Sequence, residues 1–244
     1  LVALPWSRFQ WRHAIVPAST LLLGIYGLFG FHFLLFLALR TAPAVEANLV
    51  NYLWPLLIVV LAPVFHKGTR LYWRQVLAAL AGFSGAVWVI TGGQVIDLQI
   101  NVGYLAALGS AFIWATYSLM TQRVPAFHTA AIGSFGLVSG LLSLACHFAL
   151  ETPVTISNQD SLLLIWMGLG PLGLAFYLWD AALKNGRAQQ IGLLSFLTPL
   201  GSTILLLLDR QETLTPTVAW AALLIVGGAW LGRTANTEAA NDPY

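Results

Sequence analysis

Eight stretches of this sequence run for about twenty residues with few or no charges, and that pattern leaves few folds open. A helix needs about 20 apolar residues to cross a bilayer core. The windows fall at roughly 14–39, 44–65, 73–91, 102–121, 126–150, 161–183, 188–208 and 215–232. Polar or turn-forming residues separate them, at 40–43, 66–70, 92–101, 121–125, 151–160, 185–186 and 209–216. A soluble helical core would show amphipathic stripes instead of eight such windows joined by short loops. Composition agrees: the 244 residues are 58% hydrophobic and 8% charged. An ordinary soluble domain is about a quarter charged, so these charges are too few to coat a surface facing water. The chain reads as an all-α, polytopic membrane protein with the lipid bilayer as its first partner.

Lys and Arg orient the spans, because cytoplasmic loops carry the excess. Arg8, Arg12, Lys67, Arg70, Arg74, Arg123, Lys184, Arg187 and Arg233 fall on one side of the membrane, and Arg40 and Arg210 on the other. The first group marks the cytoplasm, which places both termini inside and the loops near Asp97 and at 151–160 outside. A net charge of +2 with no basic run speaks against a nucleic-acid partner. One cysteine, Cys146, excludes an internal disulfide and a cysteine-based zinc site. There is no G-x-x-x-x-G-K-[ST] and no H-E-x-x-H, so neither ATP hydrolysis nor a zincin site is expected, and no cofactor or metal. Residues 1–4 are too short for a signal h-region, and the absence of an initial Met suggests a fragment.

Sliding the chain by 144 residues lays the first three windows on the last three. Ala38-Leu39-Arg40 falls on Ala182-Leu183-Lys184, Asn51 on Ser195, Tyr52 on Phe196 and Pro55 on Pro199. The shift moves each helix five places along the chain, an odd number, so the two copies would cross the membrane in opposite senses. Inverted repeats of this kind are a frequent design of secondary transporters. The second copy would hold five helices (92–234) and the first only three (1–91), followed by a cytoplasmic tail at 235–244. Two further helices are therefore expected upstream, ten in all; a true eight-helix protein is the alternative.

Three segments carry a resemblance. They are Glu46-Ala47-Asn48-Leu49-Val50-Asn51-Tyr52-Leu53-Trp54-Pro55, Ala111-Phe112-Ile113-Trp114-Ala115-Thr116-Tyr117 and Phe176-Tyr177-Leu178-Trp179. On these the chain resembles the EamA family of the drug/metabolite transporter superfamily, and within it the bacterial aromatic amino-acid exporters. The resemblance implies ten helices in two inverted five-helix repeats in the bacterial inner membrane. It also implies export of a small metabolite, an aromatic or hydrophobic amino acid before other metabolites or drugs. The carrier is expected to act as a monomer.

Asn48, Asn51 and Tyr52 stand at i, i+3 and i+4 and so share a helix face. Lipid offers amides no partners, so this face meets protein or a wet cavity. Pro55 beside it removes a backbone hydrogen bond and predicts a kink, as does Pro199 in the second copy. The two prolines are candidate hinges. Tyr52, Trp54, Trp114 and Tyr117 could box an aromatic ring, and the resemblance adds Phe31 and Leu35 to the wall; plain helix packing is the competing reading. Asn48, Asn51 and Ser195 are the candidates to bond a cargo's amino and carboxyl groups.

Intramembrane ionisable groups are functional candidates by default. Glu46 starts its helix, where it complements the dipole, and Asp180 stands four residues before Lys184, where an ion pair accounts for it. His32 is the one candidate for a proton-linked group, against a hydrogen-bonded structural role. Gly24, Gly27 and Gly30, and Gly168, Gly170, Pro171 and Gly173, predict close approaches and bends in the first and sixth windows. An enzyme reading rests on Gly82-Phe83-Ser84-Gly85, which is similar to the serine motif of intramembrane proteases, with His147 as base. The repeat partner of that segment, Gly227-Gly228-Ala229, has no serine, which favours packing. A scaffold without transport activity would leave the repeat unexplained.

Overall fold

The computed structural model describes residues 11–94, 101–152, 154, 156–211, 213 and 215–241, with side chains from 12 to 232 within those ranges. Arg8, Asp97, the side chain of Arg233 and residues 242–244 lie outside them. Among the described residues eight helical rods succeed one another. We number them α1 (Ala18–Thr41), α2 (Ala44–Phe65), α3 (Trp73–Thr91), α4 (Gly103–Met120), α5 (Ile132–Leu150), α6 (Asn158–Asn185), α7 (Ala188–Asp209) and α8 (Pro216–Asn241). The chain is an all-α, multi-pass membrane protein. Six of the rods, α1, α2, α3, α5, α6 and α7, are long and apolar enough to span a membrane, α5 counted with the short turn Thr129–Ala131 before it. The apolar part of α8, Pro216–Gly232, is shorter.

Helix ends follow local chemistry. Helix α1 begins after Pro17 and not at 14, because Trp11–Ala14 forms a separate 3-10 turn. Helix α6 begins three residues before its expected start, where Ser157 and Asp160 close a reciprocal cap: the Asp160 N–H donates to Ser157 Oγ at 3.1 Å, and the Ser157 N–H donates to Asp160 Oδ2 at 3.1 Å. Helix α3 stops at Gly92, which adopts φ +64°, the left-handed conformation that ends helices.

The kink expected at Pro55 is instead a break. Helix α2 divides into α2a (Ala44–Asn51) and α2b (Trp54–Phe65), and α7 into α7a (Ala188–Leu194) and α7b (Leu197–Asp209). Pro55 sits in the first turn of α2b, where a missing N–H has no intrahelical acceptor to lose. Proline here starts a helix; it does not bend one.

Interior irregularities recur at the 144-residue spacing. A π turn occupies Tyr26–Gly30 in α1 and Gly170–Leu174 in α6. The α-helical stretches after them, Phe31–Thr41 and Ala175–Asn185, are the same length and begin 144 residues apart. The starts of α2a and α7a and the ends of α2b and α7b keep that spacing. Glycines and Pro171 weaken the α pattern at both π turns, as expected for segments that bend.

The chain divides into two compact units, Leu1–Phe33 with Met120–Gly186, and Leu34–Leu119 with Arg187–Tyr244. In the first, α1 packs on α5, and Gly24 lies directly beneath the Phe135 ring. In the second, α3 and α8 form the most extensive helix pair, and small residues allow it. A Cβ on Gly85 would stand 2.9 Å from Ala221 O, and one on Gly228 2.7 Å from Ala78 O. Gly82 lies under Phe196, at the base of a core formed by Ala86, Val89, Leu200, Val218, Ala221 and Ile225. Helix α2b packs on α7a, whereas α2a turns to α3 and α7b to α3 and α8.

Candidate functional site

The break in α2 gathers the polar and aromatic residues of the second unit. Asn51 ends α2a and is buried, and its Oδ1 accepts a hydrogen bond from Ser110 Oγ of α4 at 3.1 Å. This is the interhelical bond that the packing reading of the amide stripe anticipates. Asn48, one turn earlier, and Tyr52, at the break, are half-buried. Trp54 opens α2b and meets Trp114 of α4 edge to face, with ring centroids 6.4 Å apart. Trp114 meets Tyr117 at 5.3 Å. The structure thus brings three of the four box residues into one cluster, with Trp114 and Tyr117 buried and Trp54 half-buried. Aromatic contacts of this geometry contribute about 0.5–1.5 kcal/mol each beyond area burial.

Ser195 occupies the matching break in α7, where its hydroxyl donates to Ile191 O at 2.7 Å. Its lone pairs can still accept, but its proton is engaged by the backbone. Pro199 lies in the first turn of α7b, as Pro55 does in α2b. Leu35, half-buried on α1, belongs to this unit as well.

Phe31 and His32 belong to the first unit, directly after the π turn of α1. His32 Nδ1–H donates to Leu28 O at 2.7 Å, which leaves Nε2 as the nitrogen able to take up a proton. The His32 ring meets Phe31 at 4.9 Å and Phe176 of α6 at 5.6 Å, both edge-on. Phe176 and Tyr177 also line a cleft of about 620 Å³ with Leu28, Gly136, Gly168 and Leu172. At the end of α6, Lys184 Nζ pairs with the buried Asp180 at 2.6 Å, donates to Thr129 Oγ1 at 3.1 Å and stands 4.0 Å from the Phe127 ring centre. The ion pair expected for Asp180 is formed. Glu46 stands in the first turn of α2a.

The protease-like segment is packing. Gly82 and Gly85 face helix α8 and its neighbours, Ser84 points outward and is exposed, and the His147 ring is held by Glu151 at 2.6 Å. Among the described residues no cluster of His, Cys, Asp and Glu could hold a metal.

Sequence reasoning passed over Ser110 and Phe176. Ser110 could have been found, since 110, 111, 114, 115, 117 and 118 trace one buried helical face. Phe176 stood in a recognised motif, but only the fold shows that it meets His32.

Comparison with known proteins agrees with this geometry. The profile of the EamA-like transporter family matches residues 1–91 and 101–233. The aromatic amino acid exporter YddG of Ancylobacter novellus is 41% identical over 209 residues, 84% of this chain and 72% of that protein. The Escherichia coli K12 protein of the same name is 28% identical over 196 residues, covering 77% of this chain and 66% of its own length, just under two thirds. The biotin transporter of Escherichia coli K12 is 24% identical over 241 residues, covering 96% of this chain and 79% of that protein. A solved crystal structure of a protein 36% identical in sequence superimposes on 96% of this chain, and on 83% of its own, with a TM-score of 0.83. The chain belongs to the EamA-like transporter family, a family of membrane transporters and not of enzymes.

Proposed function

We propose that the chain exports small metabolites across a bacterial inner membrane, with aromatic amino acids as cargo, by alternating access between two inverted repeats at 1–91 and 92–234. The observation that carries this reading is the pair of helix breaks. Helices α2 and α7 are interrupted at equivalent places, with prolines at Pro55 and Pro199 and an aromatic cluster beside the first. Discontinuous helices at mid-membrane depth supply freed backbone groups to a cargo's charged ends. The recurrence of π turns, breaks and helix lengths at one spacing supports two copies of one five-helix plan, ten helices in the whole carrier. The Lys and Arg distribution supports a cytoplasmic C-terminus and tail (235–244).

In this reading the cargo ring stacks near Tyr52, Trp54, Trp114 and Tyr117. Asn48, the amide N–H of Asn51 and the Ser195 oxygen bond its amino and carboxyl groups. Phe31 and Leu35 add apolar wall. No charged residue stands among these groups, which suits a carrier that must release what it binds. His32, through Nε2, is the proton-linked candidate, and the carrier acts as a monomer.

Labelled tryptophan, phenylalanine, threonine, biotin and a sugar, offered to liposomes holding the protein, test the cargo. Saturable tryptophan and phenylalanine flux is expected, reduced at least tenfold in Trp54→Ala and in Asn51→Ala. Flux of biotin alone would favour the second reading, which the relative matched over 96% of the chain supports. Flux insensitive to both substitutions would remove the proposed site.

A further inference from the structure

We propose that Gln75 and Gln189 form a latch that holds one end of the α2–α7 pair shut. The equivalent positions at the other end carry no such latch. The inference rests on the alternating-access reading and adds to it a bias between the two access states.

Gln75 lies in the first turn of α3 and Gln189 in the first turn of α7a, and both are buried. Gln189 Nε2 donates to Gln75 Oε1 at 3.5 Å, and that same oxygen accepts the Tyr72 N–H at 3.2 Å. Around them the end is closed. Gly192 lies against Pro55 O, where a Cβ would stand at 3.2 Å, and Leu193 packs with Val59, Ala78 and Ala79.

The 144-residue spacing carries Gln189 back to Val45 and Gln75 forward to Ala219. Both are apolar and both are exposed, Val45 at 47% of its surface. Ala188 is likewise buried, and its equivalent, Ala44, is exposed. The same three repeat positions are covered at one end and bare at the other. One end of the pair is shut and the opposite end is open.

The chemistry of closure therefore differs between the ends. Shutting the first end joins two amides, which must find each other because a buried amide without a partner is costly. Shutting the second would bury a valine and an alanine, a weaker and non-directional gain. Two otherwise similar ends acquire unequal closing free energies, and the protein rests with the glutamine end shut. The Lys and Arg distribution makes that the cytoplasmic end.

The test uses the full chain in lipid nanodiscs with Cys146→Ala as background and a soluble maleimide as probe. Single cysteines at the equivalent positions, Ala188→Cys and Ala44→Cys, report the two ends. In the parent the first should label slowly and the second quickly. Replacing the latch by its repeat equivalents, Gln75→Ala with Gln189→Val, should raise the Ala188→Cys rate roughly three- to tenfold, the effect of about one buried hydrogen bond, and slow Ala44→Cys. Installing a second latch, Val45→Gln with Ala219→Gln, buries nothing in the resting protein and should slow Ala44→Cys. Unchanged rates in both variants would overturn the latch, as would rates that rise together, which signal general loosening. Tryptophan separates the two ideas. If it moves the parent's two rates in opposite directions while the latch variants do nothing, the latch fails and alternating access stands. If no cargo moves them reciprocally, alternating access itself fails.

Discussion

Helices α4 and α6 invert the usual expectation about hydrophobicity. Helix α4 is not among the six rods apolar enough to count as spans, and it carries Ser110, Thr116 and Ser118; yet ten of its eighteen residues are buried. Helix α6 is long and strongly apolar, and only 6% of its most apolar stretch is buried, against 28–39% for the other five spans. In water the apolar helix would be the inner one. In a bilayer lipid is as good a solvent for leucine as protein is, so hydropathy does not drive a helix inward. Polar groups do, because only protein offers them partners. Ser110 bonds Asn51, while Thr116 and Ser118 donate back to the carbonyls of Phe112 and Trp114.

The contrast can be broken most forcefully with two tryptophans. Trp114 is buried on α4, and Trp166 on α6 is 66% exposed. Trp114→Ala should cost about 3–5 kcal/mol of stability and Trp166→Ala less than about 0.5, read as thermal unfolding in one detergent. Comparable losses would mean that α6 is as much a core helix as α4. A smaller effect separates two equivalent glycines. Gly24 lies under the Phe135 ring, and Gly168 has nothing near the place of its missing side chain. Gly24→Ala should destabilise by about 1–3 kcal/mol through overpacking, and Gly168→Ala should be neutral or stabilise by up to about 1. Smallest is a pair of serines. Ser110→Ala removes the bond to Asn51 and should cost about 1–2 kcal/mol, whereas Ser161→Ala, exposed on the first turn of α6, should stay within about 0.5. Equal effects at Ser110 and Ser161 would deny the polar bond any part in placing α4.

Much of the fold could be read in advance because a bilayer makes local sequence decisive. The window at 73–91 matches α3 at both ends, and the resemblance to the EamA family stands. What escaped has physical reasons. Pro55 alone does not distinguish a bent helix from a fresh start; the difference lies in the backbone of Tyr52 and Leu53. The Ser157–Asp160 cap was legible and was read as loop, which shortened α6. The bonds from Ser110 to Asn51 and from Gln189 to Gln75 join residues 59 and 114 positions apart, and no periodicity encodes such pairs. The site was legible as residue types on one face, but the sequence could not show that Trp54, Trp114 and Tyr117 would touch while Phe31 and His32 would meet Phe176.

The two π turns have a consequence for how α1 and α6 can change in length. A π turn carries an i→i+5 bond, one residue more per turn than the α pattern. Deleting one residue at Tyr26–Gly30 would restore plain α-helix and rotate everything after it by about 100°, the angle one residue subtends. His32 would leave the angular sector in which it meets Phe176, although every side chain would still be present. Loops of this protein can gain or lose a residue cheaply, but these two helices are phase-locked, and their irregular turns set the phase.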